Sequence, residues 1–315
     1  MIRRIVVSLL ALVALLIGGL VALDYFAPTE SAALAVKIER QRSHLVHKTA
    51  TIDGFDIAYL EGGSGEPLVL VHGFGADKDN FTQVSRALTP HYRVIIPDMP
   101  GFGESSKPAD VTYTIDEQAL RLDQFLTALG VEGAHLGGSS MGGWTVLQYA
   151  ALFPQKTRSL WLLAPAGVET AKLSEVREIY AKTGKMPLIV ERPEDYPALM
   201  AMVMNHPPFL PNGIKTVLAE RAYGNRELLK KIMAGLHGVS TPSEQLAAQV
   251  KAPTLIVWGD HDRALDVSGA SVLQQLIPGT ELIIMPDIGH LPMLEAPQQS
   301  AADYLRFRAR LAGGN

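Results

Sequence analysis

A pentapeptide of the form G-x-S-x-G, at residues 138–142, is the segment of this sequence best suited to chemistry. It follows the short apolar run Ala134–Leu136 and precedes a helical pattern from Gly142 to Leu152, so it predicts a strand, a sharp turn and a helix. A serine on such a turn, here Ser140, exposes its hydroxyl, and the following helix N-terminus stabilises negative charge beside it. The context therefore favours a nucleophilic serine over a glycine-rich turn of purely structural use.

Short apolar runs at wide spacing supply the elements that would hold this turn. Continuous apolar runs are typical of parallel strands buried on both faces, and helical patterns separate them here. Lys48–Ile52 and Phe55–Leu60 flank Asp53-Gly54, a strong signal for an antiparallel hairpin. We therefore predict an α/β fold with a mostly parallel, doubly wound sheet that opens on a hairpin. The predicted parallel strands are Leu68–Val71, Val94–Ile96, Ala134–Leu136, Leu160–Leu163, Leu255–Trp258 and Leu282–Met285.

About 90 residues separate the strand patterns at 160–163 and 255–258, which is long for one crossover. Most of this stretch has a helical pattern, so we predict a helical cap at 171–245 between core segments 47–170 and 246–315. The cap is rich in methionine, and methionine-rich surfaces adapt to apolar chains of varied shape. Its methionines are therefore candidate substrate contacts, with the alternative that they fill a small helical core. The candidates are Met186, Met200, Met202 and Met204.

Four further motifs, taken with the pentapeptide, resemble those of the α/β-hydrolase superfamily. H-G-F-G at 72–75 resembles the family's oxyanion loop, and D-M-P-G-F-G-E-S at 98–105 resembles its D-x-x-G-x-G-x-S segment. G-D-H-D at 259–262 is similar to the G-x-x-D that carries the catalytic acid, and G-H at 289–290 is similar to the late G-H of the family. The resemblance covers about residues 48–310 and implies an α/β-hydrolase fold with an inserted helical cap or lid.

The same resemblance implies a serine hydrolase whose triad follows the chain order Ser, Asp, His. On that pattern Ser140 is the nucleophile and His290 is the base that takes its proton. Asp262 would orient the imidazole and stabilise its charged form. Two neighbouring carboxylates, Asp260 and Asp266, are the alternatives for the acid.

The resemblance also implies the remaining steps. The backbone N–H groups of Phe74 and Met141 would form the oxyanion hole, and water would hydrolyse an acyl-serine intermediate without a metal or other cofactor. A serine at the turn departs from haloalkane dehalogenases and the related epoxide hydrolases, which use aspartate there. Outside the enzymes, the alternative is a non-catalytic scaffold on the same fold, although all three triad positions are filled.

Composition excludes several other classes of protein. Lys and Arg number 28 against 32 Asp and Glu, a net charge of −4, so the basic excess that nucleic-acid binding needs is absent. The sequence has no cysteine, which excludes disulfides, cysteine-ligated metals and a thiol nucleophile. The histidines lack the H-E-x-x-H spacing of metalloproteases. A mean hydropathy of +0.13 is slightly high for a soluble protein and indicates a concentrated apolar segment.

That segment is Ile5–Leu23, 19 residues without a charge. As a helix it would be about 28 Å long, close to the thickness of a bilayer core. Arg3 and Arg4 precede it, so the positive-inside rule places the N-terminus in the cytoplasm. We predict a single-pass anchor over residues 1–23, with everything after Leu23 on the far side of the membrane. The alternative is a cleaved signal peptide, with A-L-A at 33–35 as a late candidate cleavage site.

Residues 24–46 connect this anchor to the body. A helical pattern over 29–46, which Thr29 can cap, is expected either to lie on the lipid headgroups or to pack as a connector. Three small residues of the anchor also lie four positions apart, a spacing that lets two membrane helices approach closely. One expectation is a homodimer through this stripe and the juxtamembrane helix, and the other is an incidental pattern. The stripe consists of Ala14, Gly18 and Ala22.

The anchor and the cap together bear on the substrate, because a catalytic domain tethered at a bilayer has lipid as its most concentrated ester. The combination resembles the bacterial membrane-anchored lipase and phospholipase A group. The resemblance implies a bacterial inner membrane with the catalytic domain on the periplasmic side, dimerisation through the membrane and juxtamembrane helices, and action on glycerophospholipids and other fatty esters. We therefore expect a membrane-anchored serine carboxylic-ester hydrolase, a phospholipase A of the A1 type, with membrane lipids as substrate and environment. The alternatives are a tethered esterase or lactonase for small soluble esters and a C–C bond hydrolase of the same fold.

Overall fold

The computed structural model describes residues 2–236 and 239–313, without the side chains of Arg3 and Leu16. Residue 1 of the predicted anchor, residues 237–238 of the predicted cap and residues 314–315 of the predicted C-terminal core segment therefore lie outside the described ranges. Within them the body is built on one sheet of eight strands. The strands are β1 (Val46–Ile52), β2 (Phe55–Gly62), β3 (Pro67–Val71), β4 (Arg93–Pro97), β5 (Ala134–Ser139), β6 (Thr157–Leu163), β7 (Thr254–Gly259) and β8 (Glu281–Met285).

The strand order in the sheet is β1-β2-β4-β3-β5-β6-β7-β8. β1 and β2 form an antiparallel hairpin and β2 pairs antiparallel with β4, whereas all other neighbours are parallel. This confirms the predicted mostly parallel, doubly wound sheet that opens on a hairpin. The carboxyl ends of β3 to β8 all lie at one edge, which is where open α/β sheets place their sites.

Helices cover both faces of this sheet. Two further helices precede the sheet at the N-terminus, and others form the insertion between β6 and β7. A 3-10 turn at Lys78–Phe81 and another at Pro193–Asp195 precede helices. The described helices are α1 (Ile2–Phe26), α2 (Pro28–Arg42), α3 (Thr82–Leu88), α4 (Ile115–Ala128), α5 (Met141–Leu152), α6 (Glu175–Thr183), α7 (Tyr196–Val203), α8 (Asn212–Gly224), α9 (Arg226–Leu236), α10 (Ser243–Ala247), α11 (Ser268–Leu276), α12 (Pro292–Glu295) and α13 (Pro297–Gly313).

The hydrophobic core has one layer on each face of the sheet. Apolar side chains of α4, α5, α10 and α11 bury one face, and those of α3, α12 and α13 bury the other. The strands β5 and β7 are buried along their whole length, and β7 accordingly carries a continuous apolar run, L-I-V-W, rather than an alternating pattern. The sheet is therefore a rigid base for the loops at its carboxyl edge.

The helices α6 to α9 form a cap over that edge. α9 is amphipathic and buries Leu229, Ile232 and Leu236 in the core layer formed by α4 and α5. A Cβ on Gly75 would touch Leu229, and a Cβ on Gly101 would lie 3.0 Å from Ile232. The cap thus packs directly on the two loops that follow β3 and β4.

The helix α2 packs against the body rather than standing apart from it. Its Arg40 guanidinium donates to both carboxylate oxygens of Asp79 at 2.7 and 2.6 Å, and Arg86 of α3 pairs with Glu39. Of the two expectations for this segment, the geometry supports the packed connector. The predicted cap at Thr29 is wrong, because Pro28 stands at the first helical position, where its fixed φ favours initiation one residue earlier.

The helix α1 is long and apolar enough to cross a membrane, and none of its most apolar 18-residue window is buried in the protein. Its last turn nevertheless touches the cap. The Asp24 carboxylate accepts hydrogen bonds from the backbone N–H groups of Asn212 and Gly213, at 3.0 and 2.8 Å, where α8 begins. A carboxylate at a helix N-terminus satisfies free donors and complements the helix dipole. The apolar helix is therefore attached to the cap and not only to the chain that follows it.

Candidate active site

Ser140 lies on a strained turn between β5 and α5. Its φ is +54° and its ψ is −119°, a backbone conformation that residues other than glycine rarely adopt. A Cβ on Gly138 would lie 2.3 Å from the carbonyl oxygen of Gly142, and a Cβ on Gly142 would lie 2.1 Å from that of Val71. The two glycines are thus required by close backbone approach, and they allow the turn that exposes the serine.

The backbone around Ser140 is held by hydrogen bonds on both sides. Its N–H donates to Leu163 at 3.0 Å, and its carbonyl accepts from Trp144 and Ala166 at 3.0 and 2.9 Å. These bonds tie the turn to β6 and to the first turn of α5. The strained conformation is therefore over-determined by its surroundings, as a pre-organised nucleophile requires.

His290 and Asp262 form a buried pair on the loops that follow β8 and β7. His290 Nδ1 lies 2.7 Å from Asp262 Oδ2, and neither side chain is appreciably exposed. The other carboxylate oxygen of Asp262 accepts from the backbone N–H groups of Ala264 and Leu265 at 2.9 and 2.8 Å. A carboxylate held in this way fixes the ring and leaves Nε2 free to exchange a proton.

The two alternative acids have other partners. Asp260 lies at the surface, 2.6 Å from His261 Nδ1, and it also accepts from the backbone of Asp287. Asp266 accepts from the backbone N–H of Ser268 at the start of α11. The pairing of His290 with Asp262 therefore agrees with the G-x-x-D spacing, while the catalytic roles of the three residues stay a prediction.

The serine hydroxyl borders the loop after β3. A Cβ on Gly73 would lie 3.2 Å from Ser140 Cβ and 3.8 Å from Ser140 Oγ. Within the described residues, Ser140 Oγ makes no hydrogen bond to His290, whose pair with Asp262 is already formed. Such contacts are often loose in unliganded enzymes and tighten around substrate.

Two backbone N–H groups beside Ser140 are free to bind an oxyanion. No described residue accepts a hydrogen bond from the N–H of Phe74 or from that of Met141, the first residue of α5. Phe74 is half-buried, with its ring edge-to-face on Phe102 at 6.2 Å between centroids. These are the two donors that the sequence resemblance predicts, and their position beside the nucleophile suits developing negative charge.

His72 braces the oxyanion loop in a defined tautomer. Its Nε2 accepts from the backbone N–H of Met99 at 3.0 Å, so its proton resides on Nδ1, which donates to the carbonyl of Gly73 at 2.8 Å. Burial lowers the pKa of His72, which keeps the ring neutral. This histidine therefore joins the loops after β3 and β4 and leaves the proton-transfer role to another residue.

A buried ionic cluster holds the same two loops. Asp98, fully buried after β4, accepts from Lys78 Nζ at 2.6 Å, from Lys78 N at 2.7 Å and from Glu104 N at 2.7 Å. Burial lowers the pKa of Lys78, but the charge and hydrogen bond of Asp98 outweigh it, so that the pKa of Lys78 is raised. The lysine stays charged in the interior because it is paired with the carboxylate of Asp98, which backbone hydrogen bonds hold in place.

The cap is tied to this region by Arg221 of α8, which pairs with Asp77. Asp77 also accepts from the backbone N–H of Asp79 at 3.0 Å. Burial, aided by the carboxylates of Asp79 and Asp98, raises the pKa of Asp77 to about 6. Desolvation thus outweighs the attraction of Arg221 at this carboxylate.

Glu295 ties the cap to the histidine loop, residues 286–291 between β8 and α12. Its Oε2 accepts from the N–H groups of Asn205 and His206 at 2.8 Å each, and its Oε1 accepts from Gly289 at 2.9 Å. Next to it, the backbone N–H of His290 donates to Val203 at 3.0 Å. The residue before His290 is therefore held by the segment that follows α7.

The four candidate methionines occupy different places in the cap. Met186 and Met202 pack in a small cluster with Val176 and Ala264, Met204 is buried beside Gly289, and Met200 is half-buried. Two of them therefore contribute to a helical core, which was the alternative interpretation. Contact of any of the four with substrate stays a prediction.

Sequence reasoning missed Glu295, Lys78, Asp24 and Arg221, which carry the contacts between loops, cap and anchor. Each bonds to a partner far away in the chain, for example 90 residues for Glu295 and Asn205 and 188 for Asp24 and Asn212. A single sequence carries no signal for such pairs. The signals that were available, glycine spacing and the ends of apolar runs, located the backbone of the site.

A serine on a strained turn, a buried Asp–His pair and two free N–H groups at one sheet edge define a serine ester hydrolase. The chain belongs to the α/β-hydrolase family, whose model, described as an alpha/beta hydrolase fold, matches residues 66–297. The chain is 40% identical over 283 residues to Lipase 1 of Psychrobacter immobilis, with 88% of each chain covered. It is 39% identical over 280 residues to Lipase 3 of Moraxella sp. (strain TA144), with 87% of this chain and 88% of that one covered.

Among solved structures, the chain is similar to a membrane phospholipase A described as a novel bacterial virulence factor. The TM-score is 0.89 at 39% sequence identity, and 99% of each chain is covered. The likeness therefore includes the apolar helix α1 and the connector α2.

Proposed function

We propose that this serine hydrolase is a membrane-anchored phospholipase A that releases the sn-1 acyl chain of glycerophospholipids. α1 would span the inner membrane with its N-terminus in the cytoplasm, as a single retained anchor, and residues 47–170 and 246–315 would form the periplasmic catalytic core under a cap at 171–245. The observation that carries the proposal is the attachment of a bilayer-length helix, through Asp24, to the cap that covers the serine. For a site held at a bilayer, the lipid esters are the most concentrated esters nearby.

In the proposed reaction, Ser140 Oγ attacks the ester carbonyl carbon while His290 Nε2 takes its proton. The carbonyl oxygen becomes an oxyanion that accepts from the N–H groups of Phe74 and Met141. The C–O bond to the glycerol then breaks, and His290 returns the proton to the departing lysophospholipid. Water attacks the acyl-serine with His290 again as base, which releases the fatty acid and restores the serine. Asp262 holds the ring and stabilises its cationic form in both halves.

The relatives support a lipid substrate. Two of the similar proteins are lipases, and the structure that covers nearly the whole chain is a membrane phospholipase A. The exposed apolar surface of α1 supports anchoring, because a helix of this composition is stable when lipid surrounds it. A homodimer through Ala14, Gly18 and Ala22 is part of the proposal, and Gly18→Leu should weaken self-association in detergent if that stripe is the contact.

The test uses the full chain in mixed micelles with a phosphatidylcholine that carries different acyl chains at sn-1 and sn-2. Mass spectrometry of the products should show the sn-1 fatty acid and the sn-2 acyl lysophospholipid, and Ser140→Ala should remove both. Release of the sn-2 chain would contradict the A1 assignment, and activity confined to short soluble esters would contradict the lipid substrate. Consumption of a ring-cleavage dienoate would instead indicate the C–C hydrolase. Retention of the protein in membranes after an alkaline carbonate wash tests the anchor.

A further inference from the structure

The loop at 205–211, with the sequence N-H-P-P-F-L-P, joins α7 to α8 and presents one aromatic ring to solvent. Phe209 is 88% exposed, more than any other large apolar side chain among the described residues. Single exposed apolar residues are common and carry no function by themselves. Phe209 differs from such residues because its loop ends against the apolar helix α1.

The loop ends against the last turn of α1. Asn212 and Gly213, which follow it, donate to Asp24, and a Cβ on Gly213 would lie 2.7 Å from Asp24 Oδ1. Phe209 is three residues from Asn212, so its Cα lies within about 11 Å of that contact. Asp24 directly follows the uncharged run of α1, at the level where a bilayer core would give way to headgroups. Phe209 is therefore confined to the neighbourhood of the membrane interface.

Other groups at this level have the chemistry of an interface. Tyr25 and Phe26, at the end of α1, are also largely exposed, and aromatic rings concentrate in the headgroup region of bilayers. The ammonium of Lys215, exposed on the first turn of α8, lies 5.7 Å from the centre of the Phe209 ring. An apolar ring with a cation beside it matches the acyl-chain boundary and the phosphate of a phospholipid.

The loop is also held at its other end. Asn205 and His206 donate to Glu295, and Asn205 Nδ2 donates to Asp287 at 2.8 Å. Its three prolines restrict the backbone between the two fixed ends. Phe209 is thus presented on a short, stiff loop, so that little conformational entropy is lost when the ring is buried.

We propose that Phe209 and Lys215 form a second membrane contact, in which the ring enters the headgroup layer of the bilayer beside α1. The proposal rests on the anchoring that forms part of the proposed function. A single anchor helix leaves the catalytic domain free to rotate about the helix axis. A second contact on the cap removes that freedom and sets which face of the domain meets the lipid.

The direct test places a fluorescent probe at the tip of the loop. Phe209→Trp is introduced into full-length Ser140→Ala protein, which is then reconstituted into vesicles of phosphatidylethanolamine and phosphatidylglycerol. The matched control is Leu152→Trp, an apolar position 46% exposed at the far end of α5 from the cap. Ser140→Ala protein alone supplies the signal of the native tryptophans.

Lipids brominated near the carbonyl end of the acyl chain should quench the indole of Phe209→Trp at least about twofold more than that of Leu152→Trp, because only an inserted ring meets the bromine. Equal quenching at the two positions would overturn the proposal. So would quenching of Phe209→Trp that disappears as the protein-to-lipid ratio increases, because that would indicate a second copy of the chain as the occupant.

A second arm uses Phe209→Ala in otherwise wild-type protein. Hydrolysis of phospholipid in vesicles should fall roughly fivefold, since a buried ring makes a large apolar contribution, while hydrolysis of a short soluble ester stays unchanged and reports correct folding. An unchanged rate on vesicles would contradict the proposal while leaving the proposed function intact. If wild-type protein hydrolyses only soluble esters yet the Phe209→Trp probe is quenched by brominated lipid, the proposed function fails and the membrane contact stands.

Discussion

Replacement of Glu295 by alanine should slow catalysis without weakening substrate binding. The carboxylate accepts three backbone hydrogen bonds, two from the cap at Asn205 and His206 and one from Gly289. The N–H groups of Asn205 and His206 lie near the surface and can rehydrate, whereas Gly289 is buried, so its N–H would be left unpaired. Loss of this charge-assisted hydrogen bond, which leaves the Gly289 N–H without an acceptor, costs about 2–3 kcal/mol of local stability.

This loss falls on the residue next to His290. The backbone of His290 would still be held by its bond to Val203, but the preceding peptide would be free to turn. Displacements of about 1 Å in a catalytic group cost up to about 100-fold in rate, and a partly held loop should lose roughly tenfold in kcat. The kcat of Glu295→Gln should fall between those of wild type and Glu295→Ala, because the glutamine amide places an NH2 donor against at least one backbone N–H donor.

The assay measures kcat and KM for a short soluble ester at a temperature well below the midpoint of thermal unfolding. Titration with a fluorophosphonate, which reacts with the active serine, gives the concentration of competent sites. Glu191→Ala is the matched control, because Glu191 pairs with Lys230 on the exposed side of the cap, 3.0 Å apart. If kcat per titrated site in Glu295→Ala equals that of wild type, Glu295 only stabilises the fold and does not position His290. A rise in KM with unchanged kcat would contradict the reasoning equally.

The site and its surroundings carry three further predictions. Asp262→Asn should lower kcat by roughly 10³–10⁴-fold with little change in the thermal midpoint, because an amide no longer holds the ring of His290 in the productive tautomer; a loss below tenfold would contradict the assignment. Lys78→Met should reduce the free energy of unfolding by about 3–5 kcal/mol in chemical denaturation, because it leaves Asp98 charged and buried without its partner; a change under about 1 kcal/mol would contradict it. Asp77 has a folded pKa of about 6, above its unfolded value, so its contribution to stability is greatest below about pH 4 and is lost as pH rises through 6. The free energy of unfolding of Asp77→Asn minus that of wild type should therefore increase by about 2 kcal/mol between pH 4 and pH 7, whereas a constant difference would show that the pKa of Asp77 is not raised.

The parts of the site that follow strand ends could be predicted from the sequence. Ser140, Asp262 and His290 each follow an apolar run, and parallel strands bring their carboxyl ends to one edge. The glycines at 138 and 142 also carry a local signal, because close backbone approach excludes a side chain there. Local rules of this kind fail at helix boundaries by a residue or two, as at Thr29, where Pro28 initiates the helix instead.

Long-range polar contacts could not be predicted in the same way. Lys78 stands in the segment A-D-K-D-N, which has the composition of an exposed turn, yet its side chain is 1% exposed. The burial of Lys78 depends on Asp98 and Glu104, which come from a loop 20 and more residues away. Local composition therefore indicates exposure while the tertiary partner decides it, and only the assembled sheet edge brings that partner close.

The contacts that hold the cap differ in how easily water can replace them. Arg221 pairs with the carboxylate of Asp77, which is buried, and Glu295 accepts from the buried N–H of Gly289. Breaking either contact therefore leaves a buried polar group that water cannot reach. Asp24 accepts from the exposed N–H of Asn212, which water can hydrate, and also from the N–H of Gly213, which is buried against Pro28. Separation of the cap from α1 therefore leaves one buried group without a partner, whereas separation of the cap from the loops after β3 and β8 leaves two, the carboxylate of Asp77 and the N–H of Gly289, and is the more costly. From that order we expect the cap, the oxyanion loop and the histidine loop to move as one unit relative to the anchor before they move relative to each other.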